Sequence, residues 1–339
     1  MSIHVENAPA GALRLSITTK SPVLVAPRRW EFHPFAPPDP RPGELRIQME
    51  GCGVCASGLP CWQGREWFNY PLQPGQLGHE GWGTVEAVGP GVSPERIGER
   101  LALWRDGAFS PVLCVSEHET VRIPPVLHGK PVPIEPLGCA MNIMRRSRVE
   151  PGMPVVVVGV GFIGALLIQL LKAADCEVYA VAHRPFAQRL ARQLGVRVVI
   201  PWDTPESVVK AFAEAGQHGF PRVIEAAGMA SSLEITSSLV GTGGVLIIAG
   251  YHQEGSRSIN LQDWNWKGID VINAHERDPA IIRRGMQAAV NAMERGDIDL
   301  SPLLTHRYHI DQLAEAYHDL EERPDGFLKG WITFEHSTP

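Results

Sequence analysis

The segment Val155 to Gly164, VVVVGVGFIG, constrains this chain more than any other. Four consecutive valines suit a strand buried on both faces, and the ALLIQLLKAA that follows suits a buried helix. At roughly 20 residues the stretch matches a membrane span in length. Three glycines at fixed spacing, with Gln169 and Lys172 beyond them, predict instead a strand, a tight turn and a helix. Gly159, Gly161 and Gly164 form G-x-G-x-x-G at that turn. The first glycine allows the turn, the second lets backbone approach a pyrophosphate, and the third lets helix pack on strand. With Phe162 and Ile163 they open the helix, whose free N–H groups face phosphates. The expected ligand is a dinucleotide.

The surrounding sequence supports a doubly wound parallel sheet, a Rossmann domain. Apolar runs at Val155–Val158, Glu177–Val181, Arg197–Ile200, Arg222–Ile224, Val245–Ala249 and Ile269–Ile272 read as strands alternating with helices. Thr204 caps a helix that starts at Pro205 and stops at Gly216, and Asp278 with Pro279 opens one that ends near Gly296. Phe186, Leu190 and Leu194 share a helical face, with Gly195 as its stop. Before this region the texture differs: PFAPPDPRPGE and PLQPGQLG break the chain into short strands and long loops. The tail from Ser301 returns to strand-like pieces, THRYHI and GWITFE. The expected division is 1–139 and 301–339 for a β-rich unit and 140–300 for the Rossmann unit.

Composition narrows the function classes. The chain has 339 residues, 44% hydrophobic and 20% charged, enough to bury a core and too apolar for disorder. A net charge of −6 supplies no electrostatic drive toward nucleic acid or an anionic membrane. Six cysteines in so long a chain are not a secreted disulfide framework, and MSIHVENAPAG reads as no signal peptide. A cytoplasmic protein acting on a small molecule is expected.

The second Rossmann strand normally ends in an acid that holds a bare ribose 2′-hydroxyl. Here Ala182 stands at that place, followed by His183 and Arg184. A carboxylate would repel a 2′-phosphate, whereas Arg184 with His183 can pair with it at about 1.5–3 kcal/mol. NADP in preference to NAD is expected; the competing reading has Arg184 flanking the adenine or facing solvent.

Early in the chain Cys52, Cys55 and Cys61 cluster, followed by His79, Glu80 and, further on, Glu135. Thiolate, imidazole and carboxylate are the donors zinc uses, and a catalytic site keeps one position open. Cys52-x-x-Cys55 has two further readings, half of a structural zinc knot or a redox pair, although no second C-x-x-C completes a knot.

The residues Gly53-Val54-Cys55-Ala56-Ser57, Gly78-His79-Glu80, Glu135-Pro136-Leu137, the Gly159–Gly164 loop and Trp266-Lys267-Gly268, in this order, resemble the medium-chain zinc alcohol and polyol dehydrogenases over nearly the whole chain. YHQEG, DWNWKGIDVINAHERDP and RPDGFLKG look like a zinc-type alcohol dehydrogenase subgroup of that family. The resemblance implies an α/β protein in which a GroES-like β-rich catalytic domain, in two sequence pieces, encloses a Rossmann domain, with the site in the cleft between. It implies Cys55 and His79 as zinc ligands, with Glu80 and Glu135 ligating the ion or holding its water. It implies Ser57 as the hydroxyl that passes the alcohol proton outward, Lys329 on the pyrophosphate, and a homodimer or homotetramer. His252, just past the fifth strand, is expected near the nicotinamide, as a substrate contact or a plain loop histidine.

The expected activity is interconversion of a secondary alcohol, sugar-like or a cyclic polyol, with its ketone. Zinc acidifies the bound alcohol and the nicotinamide takes hydride. Trp62, Trp67, Phe68 and Trp104 are candidates for stacking on a substrate ring. Departures from the pattern bear on this. Gly58 replaces an Asp that supports the histidine ligand, a loss worth about ten- to a hundredfold. Pro60 replaces a relay histidine. The four-cysteine lobe of a structural zinc is absent, so one catalytic ion is expected, and Cys114, Cys139 and Cys176 read as small buried residues, with Cys139 a candidate for the cleft wall. The alternatives are a zinc-free quinone or enone reductase of the same fold, and a non-catalytic NADPH-binding sensor.

Overall fold

The computed structural model describes residues 19–334 except residue 254. The N-terminus read as lacking a signal peptide, and the outer ends of the first and last expected segments, lie outside the described residues.

A hairpin of β1 (Thr19–Ala26) and β2 (Arg29–Phe35) is followed by β3 (Glu44–Gly53), the short helix α1 (Leu59–Gln63), β4 (Glu80–Val88), β5 (Arg100–Leu103), β6 (Val112–Ser116) and β7 (Thr120–Arg122). In β3 the alternating Leu45, Ile47 and Met49 point inward, the period of two that a half-buried strand requires. Helix α2 (Ile134–Ser147) then leads into β8 (Pro154–Val158), α3 (Phe162–Ala173), β9 (Glu177–Ala182), α4 (Pro185–Gln193), β10 (Val198–Pro201), α5 (Pro205–Glu214), β11 (Phe220–Glu225), α6 (Ala230–Leu239), β12 (Val240–Ile248), α7 (Leu261–Lys267), β13 (Asp270–Asn273) and α8 (Pro279–Arg295). The chain finishes with β14 (His306–His309), α9 (Leu313–Glu322) and β15 (Gly330–Thr333).

Strands β8 to β13 form a six-stranded parallel sheet in the order β10-β9-β8-β11-β12-β13. All six strands read from the sequence are present. The order reverses between β8 and β11, so the crevice at their carboxyl ends is where a ligand fits. Val155–Val158 are fully buried, and the Val155–Ala174 stretch divides into β8, a turn and α3. Among the described residues no helix is long and apolar enough to cross a membrane. The punctuation acts as read: Thr204 Oγ1 accepts from the Ser207 amide at 3.2 Å, Asp278 Oδ1 from the Ala280 amide at 2.8 Å, and Gly216 and Gly296 take left-handed backbone at the helix ends.

Apart from the separate β1–β2 hairpin, the other strands form a second sheet, β14-β15-β3-β4-β5-β7 with β6 on β3. The returning segment therefore supplies β14 and β15 beside β3, and Tyr308, Leu313, Tyr317, Phe327 and Ile332 bury themselves against Leu45, Ile47 and Met49. Burying each large apolar side chain is worth about 1.5–3 kcal/mol, which ties the two pieces of this unit together. Position 139/140, the expected boundary, falls inside α2. That helix serves both units: Leu137, Ala140 and Ile143 share one core with Trp82 and Ala102 of the second sheet and Val155 and Val157 of the first.

Candidate metal centre and cofactor cleft

The centre is built where β3 ends. Gly53 pairs with Glu80 at the start of β4 on one side and with Trp331 of β15 on the other. The loop after β3 carries Cys55, extended at φ −102°, ψ 138°. The register thus brings Cys55, His79 and Glu80 together, with one donor atom from each within 4.8 Å of the others. Glu80 is fully buried, and its Oε2 lies 2.6 Å from the Lys329 ammonium. A Cβ at Gly53 would lie 1.8 Å from that Oε2, so only glycine leaves the carboxylate its place. A thiolate, an imidazole and a buried carboxylate suit a divalent zinc ion.

His79 is oriented by backbone. Its Nδ1 lies 3.2 Å from the Leu77 carbonyl, an acceptor only, so Nδ1 carries the proton and Nε2 is left to bind an ion. This carbonyl does for His79 what the Asp missing at position 58 was expected to do. Position 58 has no room for one: a Cβ on Gly58 would meet the Tyr317 hydroxyl at 2.6 Å. In the ion-free chain burial works against a charged imidazole, but the Cys55 thiolate, by charge and hydrogen bond, and then Glu135 and Glu80 outweigh it. The His79 pKa is pushed up to about 10. The centre therefore calls for positive charge.

Glu135, in the first turn of α2, stands outside the group of three but close enough to feel it. Burial raises its carboxyl pKa, His79 opposes the rise and Glu80 adds to it. The Cys139 thiol donates to Glu135 Oε1 at 3.4 Å. Cys139 is exposed and Cys114 half-buried, against the expectation of burial for both, whereas Cys176 is buried. Ser57 Oγ donates to Cys55 Sγ at 3.2 Å, which puts the hydroxyl on the Cys55 sulfur. Cys52 faces away into the core, donates to the Gly53 carbonyl, and has its thiol pKa raised well above the usual range by burial, so it pairs with Cys55 neither as a ligand nor as a disulfide. Trp62, read as a candidate stacking surface, is also a core residue, packed 5.4 Å from the Tyr317 ring.

The glycine turn has the geometry its spacing predicts. Gly159 takes φ +100°, a Cβ on Gly164 would lie 2.0 Å from the Gly159 carbonyl oxygen, and a Cβ on Gly161 would meet nothing within 4 Å. The middle position is thus an open cradle at the N-terminus of α3, where Phe162 and Ile163 begin the helix. Lys329, expected on a pyrophosphate, has its ammonium on Glu80, 2.7 Å from Oε1 and 2.6 Å from Oε2, and 4.9 Å from the Phe162 ring centre.

At the end of β9, His183 is exposed and Arg184 half-buried. One Arg184 nitrogen donates to the Phe327 carbonyl at 2.6 Å. Burial and then neighbouring Arg323 lower its pKa, with Asp325 opposing. Arg323 is a second cation that sequence reasoning did not single out. His252 is fixed from both sides: Arg257 Nε donates to its Nδ1 at 3.2 Å, so Nε2 carries the proton and donates to Glu225 Oε2 at 3.0 Å. Fully buried Glu225 also accepts from the Ala227 and Gly228 amides at 2.8 Å. His252 therefore braces the two loops at the carboxyl ends of β11 and β12.

Comparison with known proteins agrees with this construction. Residues 41–125 match the family described as the alcohol dehydrogenase GroES-like domain, and residues 163–293 the zinc-binding dehydrogenase family. The (R,R)-butanediol dehydrogenase of Bacillus subtilis is 27% identical over 82% of this chain and 89% of its own length. Among solved structures, an Escherichia coli alcohol dehydrogenase with NADH superposes with a TM-score of 0.84 at 22% identity, over 93% of this chain and 99% of that one. A Sinorhizobium meliloti zinc-binding dehydrogenase with NADP superposes at 0.79 and 24% identity, over 93% and 98%.

Proposed function

Because the chain belongs to the medium-chain zinc alcohol and polyol dehydrogenase family, we propose that it interconverts a secondary alcohol, sugar-like or a cyclic polyol, with its ketone, using one zinc ion and NADP in preference to NAD. The observation that carries this reading is the convergence of Cys55, His79 and Glu80 donors within 4.8 Å in a chain that also forms the open Gly161 cradle. Zinc supplies Lewis acidity that makes a bound alcohol easier to deprotonate, and the nicotinamide accepts or returns hydride.

The chain's own residues do the rest. Cys55 and His79 Nε2 would hold the ion, Glu80 would offer it a carboxylate oxygen, and half-buried Glu135 would steady the outer ligand. Ser57, on the Cys55 sulfur, takes the alcohol proton and hands it outward without the histidine that Pro60 displaces. Gly159 to Gly164 seat the pyrophosphate. Ala182 leaves room for a 2′-phosphate, and Arg184, His183 and Arg323 give it counter-charge worth about 1.5–3 kcal/mol, a ten- to roughly hundredfold preference. His252 acts by bracing the cofactor-side loops. The (R,R)-butanediol relative supports an alcohol substrate class. Trp266, 89% exposed, and exposed Leu261 beside edge strand β13 support assembly into a homodimer or homotetramer. Six free cysteines fit a cytoplasmic setting.

The test is a panel of polyols and cyclic alcohols, with NADP and with NAD, before and after zinc removal. Turnover that needs zinc and prefers NADP is expected. Turnover of enones or quinones indifferent to a chelator would point to the zinc-free reductase, and cofactor binding with no turnover to the sensor.

A further inference from the structure

Glu80 and Lys329 are 249 residues apart in sequence and meet through the sheet register. β4 brings Glu80 to one side of Gly53, and β15, which begins at Gly330, comes to the other. The missing side chain at Gly53 is the gap in which the Glu80 carboxylate lies, its Oε2 where a Cβ would otherwise stand. The ammonium reaches both oxygens of that carboxylate, and only 5% of Lys329 is exposed. A buried lysine paired this closely is committed to its partner, because leaving it strands two charges in low dielectric. The partner is one of the three donors of the metal centre.

We propose that Lys329 is a positioning residue that competes with the metal ion for Glu80, and so sets how tightly the centre holds its ion and whether Glu80 enters the coordination shell. The proposal rests on the zinc reading above. Charge balance supports it. Cys55, Glu80 and Glu135 as anions, with Lys329 and a divalent ion as cations, sum to zero, so the lysine trims the attraction that three anions would exert. Oε2, held 2.6 Å from the ammonium, is the atom over which the two cations contend.

The test uses the full chain with zinc, cobalt(II) and NADPH as probes. Lys329→Met should bind zinc about tenfold or more tightly in chelator competition, and should shift the visible bands of bound cobalt(II) as Glu80 becomes a full ligand. NADPH affinity should stay within about threefold of wild type. The double variant Glu80→Gln/Lys329→Met removes both charges, so it keeps the question open to measurement even if Lys329→Met alone folds poorly. Its gain in zinc affinity over Glu80→Gln should be well below the gain of Lys329→Met over wild type, because the larger part of the lysine's effect passes through Glu80. Unchanged zinc affinity and cobalt spectrum in Lys329→Met, with NADPH weakened about tenfold, would overturn the proposal in favour of a phosphate contact. So would a double variant that gains as much zinc affinity over Glu80→Gln as Lys329→Met gains over wild type. A wild-type chain that binds neither metal would defeat the zinc reading itself, and is told apart by its own titration.

Discussion

Gly53→Ala is the smallest substitution that should break the centre. The new Cβ would stand 1.8 Å from Glu80 Oε2, 2.9 Å from Cδ and 3.1 Å from the Glu80 Cβ. Carbon and oxygen need more than 3 Å, so the carboxylate must move by over about 1 Å. Rotating it is no remedy, since Gly53 and Glu80 are register partners in the β3–β4 ladder and the side chain is buried on every side. The available movement takes it off Lys329. Breaking a buried ion pair costs about 3–5 kcal/mol when one partner is lost. Both charges remain here and recover part of their contact, so about 3 kcal/mol is expected, a large share of a typical 5–15 kcal/mol total. Urea unfolding of the metal-free variant should show that loss, and chelator competition should show zinc bound about tenfold more weakly. Gly161→Ala separates this from a generic glycine effect: its Cβ meets nothing within 4 Å, so stability should change by less than about 0.5 kcal/mol. A Gly53→Ala chain that unfolds within about 1 kcal/mol of wild type and keeps its zinc affinity would refute this role for Gly53.

Two further outcomes follow from the same geometry. Tyr317→Phe removes a buried hydroxyl that has no hydrogen-bond partner among the described residues, so the variant should match or exceed wild-type stability by about 1 kcal/mol; a loss of that size in urea would show that the hydroxyl is satisfied. Arg184→Gln should weaken NADPH by about ten- to a hundredfold in fluorescence titration while leaving NADH nearly unchanged, and an equal loss for both would mean that Arg184 does not meet the 2′-phosphate.

The Rossmann half was legible because its signals are local. Val155–Val158, the glycine turn and the Pro205 and Pro279 helix starts each act within a few residues of where they stand. Cys55, His79 and Glu80 were legible for a different reason: their side chains are what zinc binds, whatever brings them together. What stayed hidden depends on partners far away in sequence. Gly58 read as a lost support, yet Tyr317 from α9 fills the space and the Leu77 carbonyl holds His79. Lys329 read as a phosphate contact because nothing near it in sequence announces Glu80; the pairing emerges only when β15 and β4 flank β3. His252 follows β12, but Glu225 and Arg257, which fix its tautomer, carry no motif.

The central claim is that one divalent ion sits on Cys55, His79 and Glu80. Its most direct test is metal analysis of the zinc-reconstituted chain beside Cys55→Ala and His79→Ala, with circular dichroism to confirm that each is folded. The account predicts one zinc per wild-type chain and none in either folded variant. Zinc retained at full stoichiometry in both variants, or absent from the wild-type chain, would contradict it.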